Sequence, residues 1–413
     1  MKTKLFFFLL SVIFIMASSA TPQGLTFRGY GRTYLGLLTD DGSYSIQQNT
    51  LDLRLEHKRD KTALFVNPYI YQYPDREINL KLRQAYLDIY FNKFDIRLGK
   101  QQIIWGKADG VFITDIISPK DLSEFLLPDF EEIRIGVDAL KLNYYLGDHT
   151  LELVWLPRFQ PTIFAEPTSI WAPKMMDFPI EPTFDYSNVQ IESKLSNSEI
   201  AAKYSALTSA IDFELMAGYL WDDNPTNHIR KQIDPVTRQI NRLIVLPQYH
   251  RLTMGGGSFS TTLGAWVLRG EGAYYNGKFF NSTNPVYTDG TVQKDYVHYL
   301  LGLDYSLWDI RLSGQFIQEA ILDYEPEIYQ DEYNNMATFL ASRDFLRETV
   351  NLQLFVYYGF NNEDALVRPK LTYDFADGFE ILLGANIFTG HSEGWFGQYE
   401  KNDMVYAKIK YSF

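Results

Sequence analysis

Cysteine is missing from all 413 residues. That excludes a disulfide framework and thiolate metal sites. Beyond residue 16, no apolar run reaches the roughly 20 residues that a membrane-crossing helix takes. Low-complexity linkers, composition shifts and long helical periodicities are also lacking, so nothing divides the chain into parts. The six histidines (His57, His149, His228, His250, His298 and His391) are scattered without metal-ligand spacing. No Gly-x-Ser-x-Gly elbow occurs. His298 faces a polar interior by strand parity, where a histidine is ordinarily a lining residue. Asp222, Asp223 and Asn224 offer oxygens for calcium, but plain solvated turn chemistry accounts for them better. No enzyme, cofactor or metal is expected. Basic charge is short as well: 38 Lys and Arg stand against 51 Asp and Glu, a net charge of −13. Nucleic acid is therefore not an expected partner.

What the chain has is aromatic residues and alternation. Phe, Tyr and Trp make up 16% of it. Hydrophobic residues reach 46%, yet mean hydropathy is −0.21. That combination suits a wall that is apolar on one side only, with aromatic girdles at its borders. The first 20 residues have the make-up of a secretory signal peptide. Lys2 and Lys4 open it, Leu5 to Met16 is its short apolar stretch, and Ser18-Ser19-Ala20 its cleavage site. Residues 21–413 are then one mature domain. An exported chain with no spanning helix can enter a membrane only as a closed barrel, because lipid satisfies no sheet edge.

The last ten residues show the pattern most clearly. Val405, Ala407, Ile409, Tyr411 and Phe413 share one face of a strand, and Tyr406, Lys408, Lys410 and Ser412 the other. A closing barrel strand has this form, and Tyr411 and Phe413 at its end are the expected signal for barrel-insertion machinery. Similar alternation predicts an all-β antiparallel transmembrane barrel of 18 strands: 25–38, 44–57, 62–72, 79–91, 94–104, 132–145, 149–157, 197–207, 210–221, 247–260, 264–279, 294–306, 309–320, 334–343, 348–359, 364–375, 379–388 and 402–413. The next-best count, 16, needs two of these strands merged into their neighbours or reassigned. Short turns follow the even strands and long connections follow odd ones, as an even-stranded barrel with both termini on one side demands. Leu307-Trp308 is the weakest of these turns, since neither residue favours one.

Charge at mid-membrane costs roughly 2–4 kcal/mol for Lys or Arg on the lipid face, so the charged face is the lumen. Parity puts Arg28, Arg32, Arg54, Arg97, Arg134, Arg269, Arg311, Arg368, Lys370, Lys408 and Lys410 inside. Lys203 makes them twelve, and Asp52, Glu56, Asp88, Asp95, Glu132, Asp138, Glu152, Asp212, Glu214, Glu271, Asp304 and Asp374 are twelve acidic residues on the same side. Positive and negative charge balance, which argues against a filter of one sign. Such charges would set up a transverse field for polar solutes, or pair across the wall and brace it. Arg97 is expected to pair with Asp95 or Asp88.

The third long connection, 105–131, holds Val111, Phe112, Ile113, Ile116 and Ile117, too apolar for a loop in water. Ser118, Pro119 and Asp121 predict a short capped helix ended by Pro128. The loop is expected to fold into the barrel and narrow it, with Asp109, Asp115, Lys120, Asp121 and Glu124 at the constriction. The longest loop, 158–196, interleaves Phe159, Phe164, Trp171, Met175, Met176, Phe178 and Phe184 with prolines. It suits an extracellular cap, a vestibule for a partly apolar ligand, or equally ordered filler over the barrel mouth.

The stretch Arg97-Leu98-Gly99-Lys100-Gln101-Gln102-Ile103-Ile104-Trp105-Gly106 resembles the Gly-[Arg/Lys]-Gln…Trp-Gly segment of porin-like barrels of Gram-negative bacteria, a superfamily that includes phosphate-selective and alginate-export porins. Residues 261–271 and the ending Tyr373-Asp374-Phe375-Ala376-Asp377-Gly378 resemble a poorly characterised branch of it. The resemblance implies an outer-membrane channel and carries no substrate over. The basic ladder of phosphate-selective members has no counterpart here, because acidic residues interleave.

The expected function is a porin-like channel passing small polar or charged solutes through a lumen narrowed by loop 105–131. The alternative is a gated or non-conducting envelope barrel that takes an apolar ligand or a partner through its extracellular loops. Membrane lipid, lipopolysaccharide, the insertion machinery and small solutes are the expected partners, with a homotrimer as a possible assembly.

Overall fold

Alternation carries through eighteen antiparallel strands that close on themselves. The computed structural model describes residues 24–73, 78–174, 178 and 180–413. The leader expected over residues 1–20, and Met175, Met176 and Pro179 of the long loop, lie outside the described residues. The barrel strands are β1 (Leu25–Leu38), β2 (Tyr44–Arg59), β3 (Thr62–Gln72), β4 (Asn79–Tyr90), β5 (Phe94–Gln101), β6 (Val137–Leu146), β7 (His149–Leu156), β8 (Glu199–Leu207) and β9 (Asp212–Trp221). After them come β10 (Arg251–Leu263), β11 (Trp266–Asn281), β12 (Thr291–Leu307), β13 (Ile310–Ile321), β14 (Tyr333–Phe345), β15 (Val350–Gly359), β16 (Asp364–Ala376), β17 (Phe379–Thr389) and β18 (Met404–Ser412). Each strand pairs with its neighbours in sequence, and β1 pairs with β18, Tyr30 opposite Ser412 and Leu38 opposite Met404. Closure leaves no edge, which is what a bilayer requires. Among the described residues no helix is long and apolar enough to cross a membrane.

Parity sorts the side chains as expected. Leu98, Leu215, Leu301 and Ile409 are exposed on the outer surface, while their neighbours Arg97, Met216, Leu300 and Lys408 point inward. Even the weakest turn is present. Trp308 turns the chain between β12 and β13 with φ 54°, a left-handed conformation unfavourable for any residue with a Cβ.

Three expectations are corrected. The strand expected from residue 132 begins at Val137, because Phe130–Ile133 forms a helical turn in which Glu132 and Ile133 N–H bond to the Asp129 carbonyl at 2.8 and 2.9 Å. Glu132 and Arg134 therefore stand on the loop and not on a wall strand. No capped helix spans 118–128. Ser118 Oγ is instead held by the Ile103 backbone, and Asp121 turns back on Ser123, so neither caps a helix. Asp121–Leu122 pairs in parallel with Ile163–Phe164 of the long loop. Finally, 222–246 is not an open loop. Thr226–Ile233 and Ile240–Gln248 form a hairpin, with Pro182–Phe184 alongside in parallel. The Asp234 carboxylate accepts the Val236 and Thr237 N–H groups at 2.7 and 2.8 Å and closes its turn.

Part of the barrel interior is an apolar core. Ile103, Trp105, Ile113 and Ile117 pack against Val154, Met216, Met254, Leu300 and Ile317 of the wall. A second cluster gathers Phe125, Leu127, Trp171, Phe388, Phe396 and Tyr399 near the long-loop rim. Folding the apolar stretch of the third loop inward removes it from water and covers the inner wall in the same step.

Candidate functional site: the infolded loop and its two cavities

The segment that resembles a porin motif is the root of the infolded loop. β5 leaves the wall after Gln101, whose fully buried amide donates to the Ala139 carbonyl at 3.0 Å. Gln102 donates to the carbonyls of Glu131 and Arg134 at 2.8 and 2.6 Å and ties the two ends of the loop together. The Trp105 indole donates to Glu152 Oε1 at 2.6 Å. Gly106 has φ 83°, and a Cβ there would lie 2.3 Å from Glu271 Oε1. Only glycine fits at such a position.

Glu271, on β11, is the central anchor. Its carboxylate accepts the N–H groups of Lys107, Ala108 and Thr114 at 2.6, 3.0 and 2.8 Å, and the Thr114 hydroxyl at 2.8 Å. One buried charge satisfies four donors of the loop, the arrangement in which a buried carboxylate is most stable. Arg269 donates to the Lys107 carbonyl and to Asp109, both at 2.8 Å, and to Asp304 at 2.9 Å. Gln315 brackets Asp109, donating to its carbonyl at 2.7 Å and accepting its N–H at 3.1 Å. The Tyr275 hydroxyl donates to the Ile113 carbonyl and the Tyr357 hydroxyl to that of Gly110. At the far end, Arg368 donates to the carbonyls of Leu126 and Leu127 at 3.0 and 2.9 Å. Arg134 Nε meets Asp115 at 2.7 Å, and the Lys120 ammonium donates to the Asp115 carbonyl. Of the residues expected at the constriction, Asp109, Asp115 and Lys120 hold the loop, whereas Asp121 and Glu124 face a cavity.

That cavity measures about 790 Å³ and lies between the loop and the β1–β4 wall. Arg32, Lys81, Arg83 and Lys408 line it from the wall, and Asp121, Glu124, Glu132 and Glu166 from the loops. Tyr69, Tyr71 and Tyr73 form a row along it. Tyr69 stacks on Tyr71 at 5.9 Å, and Tyr71 meets Tyr73 edge-on at 5.8 Å. Arg83 lies over Tyr69 at 4.5 Å and Lys81 over Tyr71 at 5.1 Å. Arg32 pairs with Glu132 at 2.9 Å, to which Tyr30 also donates. Burial works against the Glu132 charge, but Arg32 holds its carboxyl below the usual range. Glu124 behaves oppositely: burial pushes its carboxyl up, although the Tyr73 hydroxyl donates to it. Beneath this row Asp52, 0% exposed, takes Asn67 Nδ2 at 2.9 Å and Arg83 Nε at 3.4 Å.

Parity did not single out Lys81, Arg83 and the tyrosine row. Pro68 interrupts the β3–β4 register just before the tyrosines. The 69, 71, 73 spacing was the available signal.

The remaining expected positions are dispersed. Asp88 binds Arg97 at 2.7 Å, while Asp95 takes the Tyr145 hydroxyl and not Arg97. Arg54 reaches Glu131 at 3.1 Å, Lys408 reaches Asp129 at 3.6 Å and Lys410 reaches Glu380 at 3.1 Å. Lys370 sits opposite Gln353 and Gly384. Arg28, Arg311 and Asp212 lie toward the short-turn rim, paired in register with Arg54, Ser306 and Leu207. Phe413 exchanges both backbone bonds with Gly29 at 2.9 Å and stacks on Phe27 at 5.5 Å.

Among the described residues no three or more His, Cys, Asp or Glu side chains are grouped to hold a metal ion. Asp222 is taken up by Lys278 at 2.8 Å. The fold does bring two scattered histidines together: His228 Nε2 lies 2.8 Å from His250 Nε2, and Asp289 holds His228 Nδ1 at 3.0 Å.

A closed barrel with an apolar outer band, a charged interior and an infolded third loop is the architecture of porin-type outer-membrane proteins of Gram-negative bacteria. Solved structures agree on the fold. OccAB4 of Acinetobacter baumannii is similar at TM-score 0.56 and 12% identity, over 94% of this chain and 97% of that one. OccAB2 of the same organism is similar at TM-score 0.55 and 9% identity, over 96% and 99%. The outer-membrane protein OpdK of Pseudomonas aeruginosa is similar at TM-score 0.55 and 8% identity, over 95% and 100%. No curated protein matches in sequence. The chain belongs to the family described as a protein of unknown function, DUF1302, which it matches over residues 39–413.

Proposed function

We propose that the protein is an outer-membrane channel in which small polar solutes pass between the infolded loop and the β1–β4 wall. The observation that carries this reading is the charged cavity of about 790 Å³ on that side of the loop. Its wall is cationic and its loop side anionic. A field across the path, not along it, orients dipolar and zwitterionic solutes without trapping either ion sign. The tyrosine row gives planar parts of a solute a surface to slide on, and the loop sets the width.

Planar-bilayer recording of the refolded mature chain tests this. Steady conductance is expected, and deletion of residues 110–127 is expected to raise it. A folded barrel that passes no current would overturn the channel, and unchanged conductance after the deletion would overturn the loop as its constriction.

A further inference from the structure

A second cavity, of about 380 Å³, lies on the opposite side of the infolded loop. Its character differs from the first. Val111, Phe112 and Ile116 of the loop face Phe280, Ile317 and Met336 of the wall. An interior whose only task was to conduct ions would not keep such a space apolar, since the wall positions point into the lumen and polar residues there would be solvated. The volume falls within the roughly 300–1,000 Å³ typical of small-molecule sites, which are mostly apolar with a few polar groups that fix orientation.

Those polar groups are present, and the lining carboxylates outnumber the cations but have partners of their own: Asp115 is held by Arg134 at 2.7 Å and Asp331 accepts the Asn361 amide at 2.8 Å. Lys278 meets Asp222 at 2.8 Å, and His298 lies 3.9 Å from Glu319, which also accepts the Asn334 amide at 3.0 Å. Lys120 and Asp223 line the same space. Burial pushes the Asp223 carboxyl well up, against the charge of Lys120, and the Lys120 ammonium down, against the charges of Asp115 first and Asp223 second. An anionic ligand would meet the carboxylates of Asp222, Glu319 and Asp331, and a cationic one would have to displace Lys278 from Asp222 or the Asn334 amide from Glu319. A neutral hydroxyl can donate to a carboxylate and accept from a cation at no such cost.

We propose that this chamber is a binding site for a compact, uncharged molecule with an aromatic or alicyclic body and one hydroxyl group. It is separate from the polar cavity and does not rest on conduction there.

The test is calorimetric titration of the detergent-solubilised full mature protein with 1-naphthol, against 1-naphthoate and 1-naphthylmethylammonium. Saturable binding of about one naphthol per chain is expected, with both charged analogues at least tenfold weaker. Met336→Trp, which fills the chamber, is expected to weaken naphthol at least tenfold while bilayer conductance persists. Lys81→Gln, in the other cavity, is expected to leave it unchanged. Non-saturable uptake equal to the detergent blank, or equal affinity in M336W shown folded by its strand circular dichroism, would overturn the site. Equal affinity for naphthoate would overturn the neutral head group. Naphthol binding by a barrel that carries no current would leave the chamber standing and remove only the channel.

Discussion

Thr114 and Glu271 are joined twice, through the Thr114 N–H and through its hydroxyl, both at 2.8 Å. The same carboxylate takes two more N–H groups, so four of the loop's hydrogen bonds to the wall converge on one side chain. Glu271→Ala strands four donors. A buried donor left without a partner costs about 1–3 kcal/mol, and the costs do not simply add. A loss of ~3 kcal/mol or more is expected in denaturant unfolding. In bilayers, E271A is expected to flicker between the parent conductance and larger levels. Glu271→Gln keeps two acceptor sites on its oxygen but turns an amide toward the other donors, so it should fall between parent and E271A. Quiet, parental currents from E271A would show that the remaining anchors suffice.

Selectivity should follow the two sides of the polar cavity. Lys81 has a tyrosine ring beneath it, so Lys81→Gln removes wall charge with little repacking. Its reversal potential under a salt gradient should move toward cation preference. Glu124→Gln should move it toward anions at neutral pH. Because burial raises the Glu124 pKa, wild type protonates there before ordinary carboxylates do, and the two proteins should converge as pH falls. Identical reversal potentials for all three at neutral pH would mean that permeating ions do not pass this face.

The sequence carries the barrel well, because a period of two on a lipid-facing wall tolerates no error: a one-residue slip would put Arg97 or Lys408 into lipid. It carries the loop's inward fold too, through Val111 to Ile117. It does not carry what the interior charges do. Glu271, Arg269 and Arg368 have the parity of pore-lining residues, yet they spend their hydrogen bonds on the loop backbone, and a backbone partner leaves no mark in composition. The same holds for the 226–248 hairpin: Thr226–Ile233 is largely polar, and the run Leu243-Ile244-Val245-Leu246 in its partner lacks the alternation of a wall strand.

That hairpin supplies a pH prediction. His228 donates its Nδ1–H to Asp289, so its Nε2 accepts from His250. Burial first, and His228 second, bring the His250 pKa down to about 4 from 6.5. The folded state therefore binds fewer protons than the unfolded one between these values, and its stability falls as pH falls through that window. Hydrogen exchange at 226–248 should be slow at pH 7 and quicken from about pH 6.5 toward 4. His228→Asn should quicken it already at pH 7 and flatten the pH dependence. A wild-type rate with only the intrinsic chemical pH dependence would rule the junction out as a latch.

The Leu307-Trp308 turn separates backbone from side chain. Trp308 is 86% exposed and takes φ 54°, where an L residue is unfavourable by roughly 1–2 kcal/mol and glycine is not. Trp308→Gly alone would confound this with loss of an indole at the membrane border. Trp308→Ala loses the same indole and keeps a Cβ. The difference between the two variants isolates the backbone. Trp308→Gly is expected to exceed Trp308→Ala by about 1 kcal/mol in unfolding free energy, read by urea titration in detergent. Equal stability of the two would mean that the turn relaxes out of the left-handed region once the indole is gone, and that the ring, not the strand ends, holds it there.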